Sequence, residues 1–230
     1  MKRFEELPER FQNDECKKYY NLLKKKRVSL FFKRFFDIVV AFFVLLVFFI
    51  PFLIIALIIK CSSQGPVFYR QVRVGRYGKD FRIFKFRTMV QNADKMGAQL
   101  TVGERDPRIT SVGHFLRKTR LDEFPQVLNI LLGQMCLIGA RPEVPEYVAV
   151  YDNAMMATLL LTPGISGEAS LRFKNENELL AKADDFEKCY IEQVLPEKMR
   201  INLEYLEKLS VWYDIKLLCQ TFIAIFKHDD

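Results

Sequence analysis

Histidine is nearly missing from this 230-residue chain, with only His114 and His228. Its five cysteines, Cys16, Cys61, Cys136, Cys189 and Cys219, are scattered and include no Cys-X-X-Cys pair. A zinc site is therefore not expected, and the thiols read as the reduced cysteines of a cytosolic compartment rather than as a disulfide framework. The sequence holds no internal repeat and no low-complexity tract, so no repeat architecture is expected. It also shows no RNA- or DNA-binding signature, and nucleic acid is set aside as a partner.

Apolar surface and positive charge are present in excess. Half of the residues are hydrophobic, 21 are Phe, and the formal charge is +7. That charge would suit nucleic acid, anionic lipid headgroups or a polyanionic substrate. The apolar run from Ile38 to Ile59 favours the last two. The run contains no charged side chain and exceeds the roughly 20 residues needed to cross a bilayer. Lys24, Lys25, Lys26, Arg27, Lys33 and Arg34 precede it; Lys60, Arg70, Arg73, Arg76, Lys79 and Arg82 follow it. Basic residues favour the cytoplasmic side, so a straight crossing would strand one cluster outside. A helix that enters, bends at Pro51 and leaves by the same face satisfies both clusters. The run starts too late, is too long and lacks a following small-residue cleavage site, so a cleaved signal peptide is not expected.

The organisation read from these patterns has three parts. Residues 1–32 form a charged arm of helical spacing, residues 33–61 a re-entrant membrane helix, and residues 62–230 a cytoplasmic domain. Phe4, Leu7 and Phe11, then Tyr19, Leu22 and Leu23, recur near helical spacing. The arm reads either as solvated or as an interfacial helix whose lysines meet lipid phosphates. Ser62 to Pro66 is a turn signal. Val67–Val74 and Phe81–Phe86 alternate around Gly75 and Gly78, predicting a short hairpin. LDEFPQVLNILLGQM predicts a helix with Pro125 in its first turn and Gly133 at its end. Residues 143–151 and 175–208 carry further helical patterns. In Trp212–Phe226, the residues Trp212, Ile215, Leu218, Cys219, Phe222 and Phe226 share a face, read first as core and second as membrane contact. The fold class is mixed α/β and mostly helical: the re-entrant helix, amphipathic interfacial helices and a small β-hairpin.

Asp122-Glu123 precedes Pro125 at a helix start. Capping explains an acidic pair there. The same setting can keep a carboxylate ionised, so that it attacks phosphorus to form an acyl phosphate, and adjacent carboxylates suit Mg²⁺. Arg117, Lys118 and Arg120 lie just upstream, Lys85-Phe86-Arg87-Thr88 ends the second predicted strand, and Arg141-Pro142 follows a turn. Each cation alone is ordinary surface charge; together with the acidic pair they resemble a phosphate clamp. Thr162-Pro163-Gly164-Ile165-Ser166-Gly167 is either a plain loop or a bare backbone that approaches a ligand.

Four stretches carry a family resemblance: KRFFDIVVA (33–41), GPVFYRQVRVGRYGKDFRIFKFRTM (65–89), DPRITSVGHFLRKTRLDEFPQVLNILLGQMCLIGARPEVPEYV (106–148) and TPGISGEAS (162–170). The chain resembles the bacterial sugar transferases, small monotopic phosphoglycosyl transferases that act on polyprenyl phosphate. KFRTM, LDEFPQ and ARPEVP, in that order behind an apolar helix, make the resemblance specific. It implies that a sugar 1-phosphate passes from a UDP-sugar to polyprenyl phosphate and that UMP is released. Asp122 would attack the phosphoryl group bonded to the sugar, and the phosphoglycosyl-aspartate would then be attacked by the lipid phosphate. Glu123 would help to position Mg²⁺, with Asp122 as the other carboxylate of the metal site. Lys85, Arg87, Arg117 and Arg141 match basic motif positions that stabilise phosphate charge, with Arg172 as a further candidate. The resemblance also implies a re-entrant helix at the cytoplasmic face of a bacterial inner membrane, membrane lipid as a partner and glycosyltransferases downstream. It is compatible with a homodimer.

The chain departs from the family pattern in places. Ile50 stands where Ser often precedes the membrane proline, and Ala140 replaces Pro before Arg141. Ala169-Ser170 replaces Ala-Gln, Leu171 to Lys174 replaces an Asn-Gly-Arg segment, and Glu187 replaces an Asp three residues before Tyr190. Three alternatives stay open: a non-catalytic scaffold on anionic lipid, a single-pass protein with its arm outside, and a glycosyltransferase that releases UDP.

Overall fold

Pro51 breaks the apolar run. The computed structural model describes residues 1–93, 106–181, 183 and 185–226. Helix α1 (Asp14–Lys25) is followed by α2 (Arg27–Val47) and, after Phe48, by α3 (Phe49–Ser62). Pro51 has no N–H to offer the Val47 carbonyl, and the two apolar helices meet at 64°. No single described helix is long and apolar enough to cross a membrane; only the bent pair qualifies, by length and composition. Phe35, Phe42, Phe43, Leu46, Leu53 and Leu57 are exposed along the pair.

Cations fix both ends of this pair to the rest of the chain. Near its start, Lys33 donates to the Ile138 carbonyl (2.6 Å) and Arg34 to the Ile130 carbonyl (2.8 Å). At its far end, the buried Arg87 donates to the carbonyls of Ile59 (3.2 Å), Ser63 (2.8 Å) and Pro66 (2.6 Å). The last turn of a helix leaves carbonyls without intrahelical partners; Arg87 serves that of Ile59 and the carbonyls of Ser63 and Pro66 just beyond α3.

Strands β1 (Phe68–Val74) and β2 (Asp80–Phe86) pair antiparallel, with Phe68 opposite Phe86 and Val74 opposite Asp80. Side chains alternate faces along a strand. Phe81, Ile83 and Lys85 therefore face one way, and Phe81 and Ile83 pack with Ile130 and Met135. Phe86 faces the other way, against Phe52 and Ile59 of α3. Lys85 thus comes in under the domain rather than out to solvent.

Helices α4 (Ser111–Lys118) and α5 (Gln126–Leu131) flank a 3₁₀ turn at Leu121–Glu123. Strand β3 (Cys136–Ile138) pairs in parallel with β4 (Gly164–Ser166), with α6 (Pro145–Ala149) and a 3₁₀ segment Met155–Leu160 between them. Then come α7 (Glu168–Arg172), α8 (Glu176–Ala181), α9 (Phe186–Cys189), α10 (Leu195–Lys208) and α11 (Val211–Phe226). The largest core joins Leu160, Tyr190, Leu195 and Met199 to residues of the arm.

Two sequence expectations change here. The arm is not a solvated appendage. Leu7, Phe11, Cys16, Tyr20 and Leu23 are buried in the main core, Arg10 donates to the Val148 and Tyr151 carbonyls (both 3.3 Å), and Lys26 donates to the carbonyls that end α10. In α11 the buried face is Asp214 and Leu217, while Trp212 is 81 % exposed and Phe222 and Ile223 are also exposed. The stripe that was read first as core is split: Trp212, Cys219 and Phe222 are exposed, while Ile215 is half-buried and Leu218 packs against the main core. The Phe226 side chain lies outside the described residues.

Candidate active site

The site is assembled around the 3₁₀ turn that carries Asp122 and Glu123. Arg120 enters the turn with φ of 58°, a left-handed conformation uncommon for a residue with a side chain. Behind the turn, Asn129 fastens α5 to β2: its Oδ1 accepts the Phe84 N–H (2.8 Å) and its Nδ2 donates to the Arg82 carbonyl (3.0 Å). That register sets Lys85 beside the turn.

Three elements converge on Glu123. From β2, Lys85 Nζ lies 2.9 Å from Oε1. From the loop after β3, Arg141 makes an ion pair with Oε1 and donates to Oε2 (3.2 Å). Arg141 also donates to the Ile165 carbonyl of β4 (3.1 Å). The Thr162–Gly167 turn holds this corner by close backbone approach: a Cβ on Gly164 would sit 2.2 Å from the Gly139 nitrogen. Its bare backbone therefore meets the segment that carries Arg141.

The two adjacent carboxylates differ electrostatically. Burial alone would raise Glu123, but Arg141 and Lys85 overcome it and hold its carboxyl well below the ordinary range. Asp122 is pushed up, first by burial and then by the Glu123 charge, with Lys85, Arg117 and Arg120 opposing. Among the described residues none donates a hydrogen bond to the Asp122 carboxylate, whose neighbours act through charge alone. Burial lowers Lys85 despite Glu123. Neither acid caps α5, whose N-cap is Pro125 without a side-chain bond. Side-chain capping of α5 by the acidic pair therefore falls away, although both acids lie in the first turn of the 3₁₀ segment before it.

The structure separates the predicted cations. Lys85 and Arg141 hold Glu123, and Arg117 feels the charge of Asp122 while its Nε donates to Thr88 Oγ1 (3.0 Å). Gly113 permits that approach, since a Cβ there would lie 2.0 Å from the Thr88 oxygen. Arg87 is not among them, because its guanidinium is spent on the end of α3. Arg172 pairs with Glu168 (2.6 Å) on its own helix instead.

Sequence reasoning missed Asn129, Thr88 and a buried cluster beside Arg141. In that cluster, Glu143 accepts from Tyr190 (2.7 Å) and Lys198 (3.2 Å). Asn129 could have been noticed as a polar residue on the apolar side of its helix; the partners of Glu143 lie too far along the chain to be read locally.

Mg²⁺ takes oxygen ligands and commonly one or two carboxylates, with waters and substrate phosphates completing the set. Asp122 fits that role. Glu123 would have to give up Lys85 or Arg141 to join it. Among the described residues there is no group of three or more His, Cys, Asp or Glu that could hold a metal, so a Mg²⁺ held here would need waters and substrate phosphates to complete its ligands.

The family model for bacterial sugar transferases matches residues 28–228. An Escherichia coli (strain K12) protein named UDP-glucose:undecaprenyl-phosphate glucose-1-phosphate transferase is 38 % identical over 178 residues, covering 75 % of this chain and 35 % of that protein. An Aeromonas hydrophila protein, UDP-N-acetylgalactosamine-undecaprenyl-phosphate N-acetylgalactosaminephosphotransferase, is 37 % identical over 86 % of this chain and 44 % of its own length. The Bacillus subtilis (strain 168) sugar transferase EpsL, described as uncharacterized, is 32 % identical over 82 % of this chain and 84 % of its own. The chain thus spans less than half of the first two relatives and most of the third. With this match running from the start of α2 through the acidic turn and Arg141 to the end of α11, the chain belongs to the bacterial sugar transferase family.

Proposed function

We propose that this protein transfers a sugar 1-phosphate from a UDP-sugar to undecaprenyl phosphate in two displacements. A carboxylate oxygen of Asp122 attacks the phosphorus bonded to the sugar. The bond from that phosphorus to the bridging oxygen breaks, and UMP leaves with the electron pair. An oxygen of the lipid phosphate then attacks the same phosphorus, breaks the acyl phosphate bond and frees the Asp122 carboxylate. The products are a polyprenyl diphosphate sugar and UMP. The observation that carries this reading is the asymmetry of the acidic pair: Glu123 is held by Lys85 and Arg141, and the adjacent Asp122 accepts no hydrogen bond from a described residue.

Each residue has a role in this scheme. Glu123 holds Lys85 and Arg141 in place, and those cations, with Arg117, stabilise the charge that gathers on phosphorus. Asp122 and the diphosphate oxygens would hold Mg²⁺, which when bound neutralises phosphate charge. The names of the E. coli and A. hydrophila relatives support the donor and acceptor classes.

The site works at the cytoplasmic face of a bacterial inner membrane, with the α2–α3 pair entering and leaving by that face. The bend of 64° and the exposed apolar side chains support this placement. The lipid phosphate meets the site at the bilayer surface, and glycosyltransferases extend the product. A cysteine introduced at Lys2 should resist a membrane-impermeant thiol reagent applied to the outside of intact cells; labelling from outside would overturn the re-entrant placement.

The test of the reaction is UMP release by purified protein given Mg²⁺, a panel of UDP-sugars and undecaprenyl phosphate. Release that needs one of the sugars and disappears in Asp122→Asn is the expected result. Release of UDP, or UMP release that survives Asp122→Asn, would overturn the scheme. No release from a well-folded protein would favour a lipid-binding scaffold.

A further inference from the structure

Lys85, Arg117, Arg120 and Arg141 are cations whose charge reaches the Asp122 carboxyl group. Three of them are committed: Lys85 and Arg141 to Glu123, and Arg117 to Thr88. Arg120 is exposed, and among the described residues its guanidinium has no hydrogen bond or ion pair. Its backbone is held at φ of 58° and ψ of 12°, the left-handed region that a residue with a Cβ enters only at a cost. Such a conformation persists where the surroundings enforce it, and it collects at functional sites. The Arg120 N–H donates to the Arg117 carbonyl (3.1 Å), and the Arg120 carbonyl accepts from the Glu123 N–H (3.3 Å). The strained residue is thus the joint between α4 and the acidic turn. A glycine would make that joint without strain, so solvation of a surface cation does not account for arginine there.

The joint also adjoins the apolar helix pair. Leu121 packs against the cluster of Ile59, Phe86 and Leu116, which Phe52 and Ile55 of α3 also join. The Phe124 ring meets that of Phe48, at the bend between α2 and α3, with centroids 5.1 Å apart. The chain therefore rests on the apolar pair on both sides of Asp122 and Glu123, and Arg120 is the residue next to the first of these anchors. On the preceding helix, Phe115 is 61 % exposed. Two anions must reach this corner. The UDP-sugar is water-soluble, whereas the acceptor carries its phosphate at the bilayer surface. An exposed, uncommitted cation beside the apolar pair is placed for the second of them.

We propose that Arg120 receives the phosphate of the acceptor lipid for the second displacement. Its guanidinium binds two of the phosphate oxygens, as planar bidentate pairs do, and leaves the third to attack phosphorus. This rests on the two-displacement reaction proposed above. Lys85, Arg117 and Arg141 serve the donor, and Arg120 acts once UMP has left.

The experiment compares wild type with Arg120→Gln, Arg120→Lys and Arg120→Gly as full-length protein in phosphatidylcholine nanodiscs. UMP is measured first with Mg²⁺ and the UDP-sugar alone, as a burst, and then in turnover as undecaprenyl phosphate is varied. In Arg120→Gln and Arg120→Gly, kcat/KM for undecaprenyl phosphate should fall on the order of 10- to 100-fold. The burst and kcat/KM for the UDP-sugar should hold. Arg120→Lys, which keeps the charge without the planar fork, should recover part of the loss. Arg120→Gly should melt no lower than wild type, because the left-handed strain is gone. An unchanged kcat/KM for undecaprenyl phosphate overturns the inference and leaves the reaction standing. So does a smaller burst or a lower kcat/KM for the UDP-sugar, which moves Arg120 to the donor. A loss seen only when phosphatidylglycerol replaces phosphatidylcholine assigns Arg120 to bulk anionic lipid and overturns the inference as well. Failure of all three variants to fold, or lower melting with both kcat/KM values intact, assigns Arg120 to the fold with the same result. A wild type that releases no UMP from any UDP-sugar removes the reaction itself, and the inference with it.

Discussion

Lys33 Nζ lies 2.7 Å from Asp214 Oδ2, an ion pair that ties the start of the apolar helix pair to the C-terminal helix. Both residues are buried, and Asp214 also accepts from the Tyr205 hydroxyl (2.6 Å). The pair lies at the base of the region expected to meet the membrane, so it fixes how that region is carried by the domain.

Lys33→Met should destabilise the protein by about 3–5 kcal/mol, because it leaves Asp214 buried without its countercharge. The double variant Lys33→Met/Asp214→Leu should recover most of that loss, since a buried pair replaced by apolar side chains is often neutral. Recovery stays incomplete because Tyr205 loses its acceptor. Thermal melting in detergent checks this, and a double variant no better than the single one would sink the account.

Arg87→Met separates a structural role from a phosphate-binding one. With Arg87 serving the carbonyls of Ile59, Ser63 and Pro66, its loss should lower the melting point and open residues 60–66 to protease. KM for the UDP-sugar should hold in the folded fraction. A raised KM at unchanged stability would return Arg87 to the phosphate site.

The depressed carboxyl of Glu123 makes a pH prediction. A group whose folded pKa lies below its unfolded value contributes stability that is complete above the unfolded value, and loses it as pH falls through the folded one. Glu123→Gln should therefore be less stable than wild type at neutral pH. The gap should narrow only as pH drops below about 4.5, the ordinary Glu value. Asp122 behaves oppositely. It must be ionised to attack, and its carboxyl is pushed up, so kcat/KM should fall on the acid side with a midpoint above 3.8. Melting and UMP release across pH measure the two effects separately.

The arm is open to the same treatment. Phe11→Ala should cost about 3–5 kcal/mol, the usual range for a large aromatic removed from a core, because Phe11 is buried among residues of the main cluster. Trp212→Ala, on the exposed side of α11, should leave melting in detergent nearly unchanged. A soluble, fully stable chain lacking residues 1–25 would contradict the burial of the arm.

Much of the site could be read before the fold was known, and the reasons are local. The strand alternation that faces Lys85 inward is written in residues 80–86. The acidic pair and Pro125 are written in one short segment. Arg87 and Arg141 look alike in sequence, each a cation beside a turn, and nothing nearby shows that one closes a helix while the other meets Glu123. The arm was misread for a related reason. Its helical spacing is real in α1, but spacing shows only that an apolar face exists, and the partners of that face are residues 144–161 and 190–209.

The sequence by itself determined the elements whose cause lies within a few residues: the break in the apolar run before Pro51, the hairpin, the acidic turn and the family motifs around it. Only the tertiary structure decided which cations meet the acidic pair and which serve carbonyls, which side of α11 is buried, and that residues 1–26 pack on the core. Hydrogen-bond geometry and side-chain period are properties of neighbours along the chain. The partner of a charge or an apolar face depends on which distant segments pack together, and burial then decides how strongly the two are coupled.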